Sequence, residues 1–375
     1  MKKMKPLFRL AATVLITSCC LAPSIVACTG IQIQTKNNEY VTGRTAEFGV
    51  PLQLNGLIIP RHYTFTGTTD KGNGLIYKSK YAAVGVSAYG SNYVLDGFNE
   101  KGLTVGMFYF PNFASYTPLD AQNQSRAVAP TEFVNWILTQ FASIEEVRNA
   151  IERNEVVIVP TTVVDWGGIP PMHYIVYDKQ GKSIAIEPIA GRLQITDNPV
   201  GVFTNSPEFS WHLTNLSNYI NLSTINVEEA KIKNYEIKQL GLGTGLLGMP
   251  GDFTPPSRFV RAAIFANAAT PVDTSLEAVF ETFHILNQFD IPPGSARAPG
   301  KENAFKPGSM DITLATAVKD PNTLIYYYKT YDNQNIRSID LKRFDWNNEH
   351  LQRISSDQGP TKVEDVSHLA TPDKA

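Results

Sequence analysis

Apolar and polar positions alternate from the first residues after position 28. Ile31 and Ile33 alternate with Gln32 and Gln34 across residues 29–35, and Lys36-Asn37-Asn38 then turns the chain. The extended pattern resumes over 40–44, which predicts a β-hairpin. Further strands are expected at 73–80, 82–88 and 103–110, the last entered through the turn Asn99-Glu100-Lys101-Gly102. The period then lengthens. Phe133, Ile137, Leu138 and Phe141 fall on one face of a helix that Thr131 can cap, and Ser143 with Glu146 forms a capping box for a helix over 144–153. Strands return at 173–177 and 183–188, around Asp178-Lys179-Gln180-Gly181, and at 200–204. Pro255-Pro256-Ser257 introduces a helix over 258–268, and 275–289 reads as another. Late strands at 324–331 and 336–341 flank Asp332-Asn333-Gln334-Asn335. Strands in groups and helices in groups predict an α+β layered fold rather than alternating βαβ units. No repeat or linker divides the pattern, so one domain is expected over 28–354. A polar tail follows at 355–375, with little order expected.

The first 27 residues have a different character. Lys2, Lys3, Lys5 and Arg9 precede an apolar stretch from Leu10 to Leu21 and a short segment of small residues ending at Ala27. This is the form of a bacterial export signal. The apolar run is shorter than the roughly 20 residues that span a bilayer as a helix. The mature chain is therefore expected to be exported, to the periplasm or outside the cell. Formal net charge is −2 with no basic run after Arg9, which argues against nucleic acid as a partner. Of three cysteines, Cys19 and Cys20 fall inside the signal and Cys28 directly after it. The mature chain thus has no second cysteine for an internal disulfide.

Several motifs carry no chemistry. Gly241-Leu242-Gly243-Thr244-Gly245 runs into Met249-Pro250-Gly251, where a nucleotide loop would open a helix, so a shaped loop is expected. Six histidines are scattered without a ligand spacing, which leaves a zinc site unsupported. His212 and His284 lie among apolar residues and read as packing; His173 starts a strand and could reach a pocket. No Gly-x-Ser-x-Gly elbow exists.

Cleavage between Ala27 and Cys28 would put a thiol and an α-amine on one residue. The thiolate attacks, a neighbouring cation lowers its pKa, and an amine titrating near neutrality can take and return the proton. Hydrogen-bond donors must then hold the oxyanion.

Around that residue the chain resembles the choloylglycine hydrolase family of N-terminal-nucleophile hydrolases, which contains penicillin V acylases and bile salt hydrolases. The resemblance lies in Cys28-Thr29-Gly30, Gly43-Arg44-Thr45-Ala46-Glu47-Phe48, Asp96-Gly97-Phe98-Asn99-Glu100-Lys101-Gly102-Leu103, Pro171-Met172-His173-Tyr174 and Gly201-Val202-Phe203-Thr204-Asn205-Ser206-Pro207. It is strongest in Gly248-Met249-Pro250-Gly251-Asp252-Phe253-Thr254-Pro255-Pro256-Ser257-Arg258-Phe259. It implies a four-layer αββα sandwich, with Cys28 as nucleophile, Arg44 and Arg258 as the active-site arginines, Asn205 as side-chain oxyanion donor and the backbone N–H of Tyr109 as the second donor. Glu47 stands where the family has aspartate, one methylene longer. The resemblance implies no metal or organic cofactor, and residues 215–241 resemble the family's assembly loop, which implies a homotetramer.

A tyrosine at 109 resembles the penicillin V acylases. Phe108, Phe110, Phe113 and Tyr116 suit an aryl-acyl pocket, with Phe108, Phe110 and His173 expected against substrate. The expected activity is hydrolysis of a linear amide through an S-acyl-enzyme, with penicillin V favoured over conjugated bile salts or N-acyl homoserine lactones. Ile25-Val26-Ala27-Cys28 and Ile16-Thr17-Ser18-Cys19 also fit lipoprotein cleavage boxes. Lipid attachment at Cys28 would consume the thiol, and attachment at Cys19 would tie the amine in a peptide bond. A lipid-anchored binding protein without activity is therefore the alternative from a different class.

Overall fold

The computed structural model describes residues 27–300 and 310–371. Apart from Ala27, the expected export signal lies outside them. The first part of the chain forms strands β1 (Cys28–Gln34), β2 (Tyr40–Phe48), β3 (Asn55–Ile59), β4 (Thr64–Thr69), β5 (Gly72–Lys78), β6 (Ala83–Ser87), β7 (Asp96–Asn99), β8 (Thr104–Tyr109) and β9 (Ala127–Val128). Helices α1 (Phe133–Gln140) and α2 (Ile144–Glu152) follow, then β10 (Val157–Ile158), β11 (Met172–Tyr177), β12 (Ser183–Ile189), β13 (Arg192–Asp197) and α3 (Phe209–Asn215). The remainder forms β14 (Ala230–Ile232), β15 (Tyr235–Ile237), α4 (Pro255–Ala268), α5 (Ser275–Leu286), β16 (Ile312–Asp320), β17 (Ile325–Thr330), β18 (Arg337–Asp340) and β19 (Gln352–Ser355).

Two antiparallel sheets stack face to face. One has the order β1-β2-β16-β17-β18, the other β13-β12-β11-β8-β7-β6-β3-β19. Helices α4 and α5 cover the first sheet and α1 the second, which gives the expected αββα sandwich. Gly43 shows how closely the layers approach: a Cβ there would lie 2.4 Å from Thr282 Cγ2 of α5. Between the sheets, Ile58, Val84 and Phe98 pack against Ala317, Tyr326, Tyr328 and Ile339. One ion pair crosses this interior. Lys319 Nζ lies 2.9 Å from both oxygens of Asp96, and the Tyr326 hydroxyl donates to the same carboxylate at 3.1 Å. Removing one partner would leave the other charge buried alone, a loss of about 3–5 kcal/mol.

Local signals place most elements within a few residues. Ser143 accepts from the Glu146 backbone N–H at 3.2 Å and α2 starts as expected. Three expectations are corrected. Thr131 does not cap α1; Glu132 occupies the N-cap, and its carboxylate accepts from the backbone N–H groups of Thr68 and Ala129 instead. Residues 200–204 make only a bridge from Phe203 to Gly30. The first part of the tail, through residue 362, is docked: Thr361 and Lys362 hydrogen-bond to the turn between β17 and β18 through Asp332 and Asn335. Strand β16 has no alternating pattern to reveal it, because a sheet covers one face and a helix the other.

Candidate active site

Strand β1 is the edge of the five-stranded sheet and begins at Cys28, which pairs with Ala46; Gly30 pairs with Arg44. That register lets the Arg44 side chain reach back along the strand, and its Nη2 donates to Cys28 Sγ at 2.9 Å. Arg44 is buried and fixed on three sides. Its Nη1 donates to the Met107 carbonyl at 2.8 Å, its Nε donates to the Thr45 carbonyl at 3.2 Å, and its guanidinium lies 4.1 Å from the centroid of the Phe108 ring.

A second buried guanidinium approaches from α4. Arg258 is entirely excluded from solvent. It donates to the Cys28 carbonyl, to Thr29 Oγ1 at 2.8 Å, to Asn205 Oδ1 at 2.7 Å and to the Phe253 carbonyl at 2.9 Å. Asn205 Oδ1 also accepts from the backbone nitrogen of Cys28 at 2.8 Å, and its Nδ2 donates to the Tyr109 carbonyl at 2.8 Å. Cys28, Arg44, Tyr109, Asn205 and Arg258, which lie far apart in sequence, thus meet in one hydrogen-bonded group. His212, expected only to pack, donates through Nε2 to the Asn205 carbonyl at 2.9 Å. Nothing in the sequence around His212 marks it as a support for Asn205.

Glu47 follows on β2. Its backbone N–H donates to the Ala27 carbonyl at 3.0 Å, and its Oε1 accepts from Thr313 at 3.0 Å. Its Oε2 is buried with no hydrogen-bond partner. Burial raises the Glu47 carboxyl to about 7 against the pull of Arg258 and Arg44. Burial also pushes the Cys28 thiol up; Arg44 opposes this and Glu47 adds to it. The nucleophile candidate therefore sits with two cations and one unsatisfied carboxylate oxygen, an arrangement that can accept a proton beside an attacking sulfur.

The thiol opens onto a narrow, largely apolar cleft between the two sheets. Ala46, Phe48, Ala315, Ala317, Tyr328 and Ile339 line one side, and Gly56, Val86, Leu95 and Tyr109 the other. Trp166 closes its rim, edge-on to Phe48 at 5.4 Å, with its Nε1 donating to the Tyr93 hydroxyl at 2.7 Å. Three expected substrate contacts are corrected. Phe108 is buried under Arg44 and edge-on to Phe203. Phe110 stacks on His173 at 4.2 Å. His173 is held between the Glu187 carboxylate at 3.0 Å and the Thr204 carbonyl at 3.1 Å. None of the three lines the cleft, because each is already committed to the protein interior.

Residues 28–354 match the family described as linear amide C-N hydrolases, choloylglycine hydrolase family. A "Bile salt hydrolase/transferase" from Clostridium perfringens is 34% identical over 320 residues, covering 84% of this chain and 93% of that protein. One of the same description from Lactiplantibacillus plantarum is 33% identical, covering 90% and 98%. The solved structure of a variant of the conjugated bile acid hydrolase from Clostridium perfringens superposes with a TM-score of 0.79 at 30% identity, covering 91% of this chain and 100% of that one. Penicillin V acylase from Agrobacterium tumefaciens gives 0.71 at 23% identity, covering 89% and 94%, a likeness of fold.

The Glu47 environment has a consequence for stability. An acid whose folded pKa lies above its unfolded value loses stabilising effect as pH rises. Protein retaining the Ala27–Cys28 bond should therefore become less stable between about pH 4.5 and 7. Glu47→Gln should flatten that slope in urea-midpoint measurements across the range; parallel profiles for the two proteins would contradict the assignment.

Proposed function

Because the chain belongs to the linear amide C-N hydrolases of the choloylglycine hydrolase family, we propose that it hydrolyses N-acyl amides with large apolar acyl groups, conjugated bile salts foremost. The observation that carries this is the buried group of Cys28, Arg44, Asn205 and Arg258 at the end of an apolar inter-sheet cleft. Family membership removes the ground for a binding protein without activity.

The chemistry begins with export and cleavage after Ala27, which frees the Cys28 amine. The Sγ attacks the acyl carbonyl and its proton passes to that amine. The oxyanion takes hydrogen bonds from the Tyr109 N–H and Asn205 Nδ2; Tyr109 lines the cleft, and Asn205 Nδ2 is held beside it by donating to the Tyr109 carbonyl. The C–N bond breaks as the amine returns the proton to the leaving nitrogen. Water then attacks the thioester and releases the acid. Arg44 favours the thiolate. Arg258 fixes the Cys28 carbonyl and Asn205, and the unpartnered Glu47 oxygen is available to the new α-amine.

The order of substrates expected from sequence is reversed here. The relatives at 33% and 34% identity carry bile-salt names, whereas the penicillin V acylase is likeness of fold alone. Penicillin V remains the second reading on one observation: Tyr109, half-buried, lines the cleft. Purified enzyme should show a kcat/KM for glycocholate or taurocholate above that for penicillin V, and Cys28→Ala should lower kcat on each by about 10⁴-fold or more. A preference for penicillin V would return the reading to the acylase type.

Residues 215–241, the expected assembly loop, and the turn that follows them support assembly. The hairpin β14–β15 stands out from the domain, and Ile220, Leu240 and Leu242 are almost fully exposed. The glycine-rich loop at 241–245 belongs to this arm, where Asn226 Oδ1 accepts from the backbone N–H groups of Gly243 and Thr244. Apolar exposure on this scale fits contact with further copies of the chain, a homotetramer. Light scattering should give a tetramer mass for the parent and a smaller species after deletion of residues 226–242; a monomeric parent would refute it.

A further inference from the structure

The cleft extends well beyond Cys28. It crosses all five strands of its sheet, through Ala46, Ala317, Tyr328 and Ile339. At about 4.8 Å per strand, Tyr328 on β17 lies about 14 Å from β1 and Ile339 on β18 about 19 Å. The far end narrows where Gly56 faces Ile339: a Cβ on Gly56 would lie 2.7 Å from Ile339 Cδ1. The residue that completes the lining there is Ser356. It lies beyond residue 354, the last position matched to the family.

Ser356 is not a loose end. Its hydroxyl donates to the carbonyl of Leu54, itself a cleft residue. Its carbonyl accepts from Arg337 Nη1 at 3.0 Å, and the Arg337 guanidinium lies 4.5 Å from the centroid of the Tyr328 ring. Past it, Asn333 Nδ2 donates to the Gly359 carbonyl at 2.8 Å, and the Gln334 N–H donates to Thr361 Oγ1 at 2.8 Å. Lys362 N–H donates to Asn335 Oδ1 at 2.7 Å. The segment is thus tied to both walls, to Leu54 on one side and to the β17–β18 turn on the other. These contacts are short-range polar bonds on the surface. Their energetic value is modest singly, but together they fix the course of an otherwise polar strand.

We infer that residues 356–362 form the end-stop of the acyl cleft, closing the side opposite Cys28 and setting the longest acyl group that can lie in it. The inference rests on the reading of the cleft as the acyl site. Its physical basis is exclusion: an acyl group that reaches past Ile339 must displace Ser356 and break the tie to Leu54. A shorter one leaves the strap in place.

The test is a series of N-acylglycines from hexanoyl to hexadecanoyl, assayed on the parent, on a variant ending at Ser355, and on Ser356→Phe. Ending at Ser355 keeps β19, and melting curves identify a variant that fails to fold. The ratio of kcat/KM for hexadecanoyl to hexanoyl should rise about tenfold on truncation and fall by a similar factor in Ser356→Phe, the scale set by a few methylenes gained or lost from an apolar pocket. If truncation unfolds the protein, the fall in Ser356→Phe decides alone. Ratios within about twofold of the parent in every folded variant would overturn the end-stop while leaving the hydrolase reading intact. A parent that cleaves glycocholate but no member of the series would also overturn it. A parent that cleaves neither would overturn the function on which it rests.

Discussion

A guanidinium with no access to water holds the start of the first strand. Burying Arg258 is costly unless each donor finds an acceptor and a counter-charge lies near. Burial lowers its pKa, and the Glu47 carboxylate and Cys28 thiol oppose that. Its donors are used on Cys28, Thr29, Asn205 and Phe253. The same bonds therefore compensate the buried charge and fix residue 28. A residue at the start of an edge strand would otherwise fray. Replacing the cation by an apolar side chain would spare the burial and lose the clamp.

Arg44 serves the other face of β1–β2. It reaches the sulfur while Arg258 reaches the carbonyl, so the strand is gripped from the cleft side and the helix side. Asp96, Tyr326 and Lys319 lie deeper between the sheets. Asp96 helps keep the Arg44 pKa raised against burial, after the contribution of Cys28. The two layers of the sandwich are thus joined by charge at the place where a permanent cation meets the Cys28 sulfur. The cleft is the space left beside that charged seam, and its walls are apolar because both sheets turn their inner faces toward it.

Much of this is legible in the order of residues alone. Cys28, Arg44, Asn205 and Arg258 sit in local strings distinctive enough to be read in sequence, and turns such as Asn99-Glu100-Lys101-Gly102 announce the strands beside them. What stays hidden depends on side-chain direction and on long-range contact. Phe108 and Phe110 flank Tyr109 and share its aromatic character, yet strand geometry sends neighbours to opposite faces, so only Tyr109 reaches the cleft. His173 stands in a promising motif but meets Glu187 fourteen residues on, across the β11–β12 pair. His212 supports Asn205, and Ser356 binds Leu54, through contacts between segments distant in sequence or without periodicity. The tail reads as disordered from its composition, because its order comes from a turn 27 residues earlier, where Asn335 holds Lys362.

The central claim is that Cys28, freed at its amine, carries the acyl group during turnover. Intact-mass analysis of enzyme quenched in acid during hydrolysis of glycocholate tests it most directly. The account predicts a mature chain beginning at Cys28, with a fraction heavier by one cholyl group and the adduct on the Cys28 sulfur. An active enzyme whose chain begins before Cys28, or whose cysteine carries a lipid while turnover continues, would contradict it.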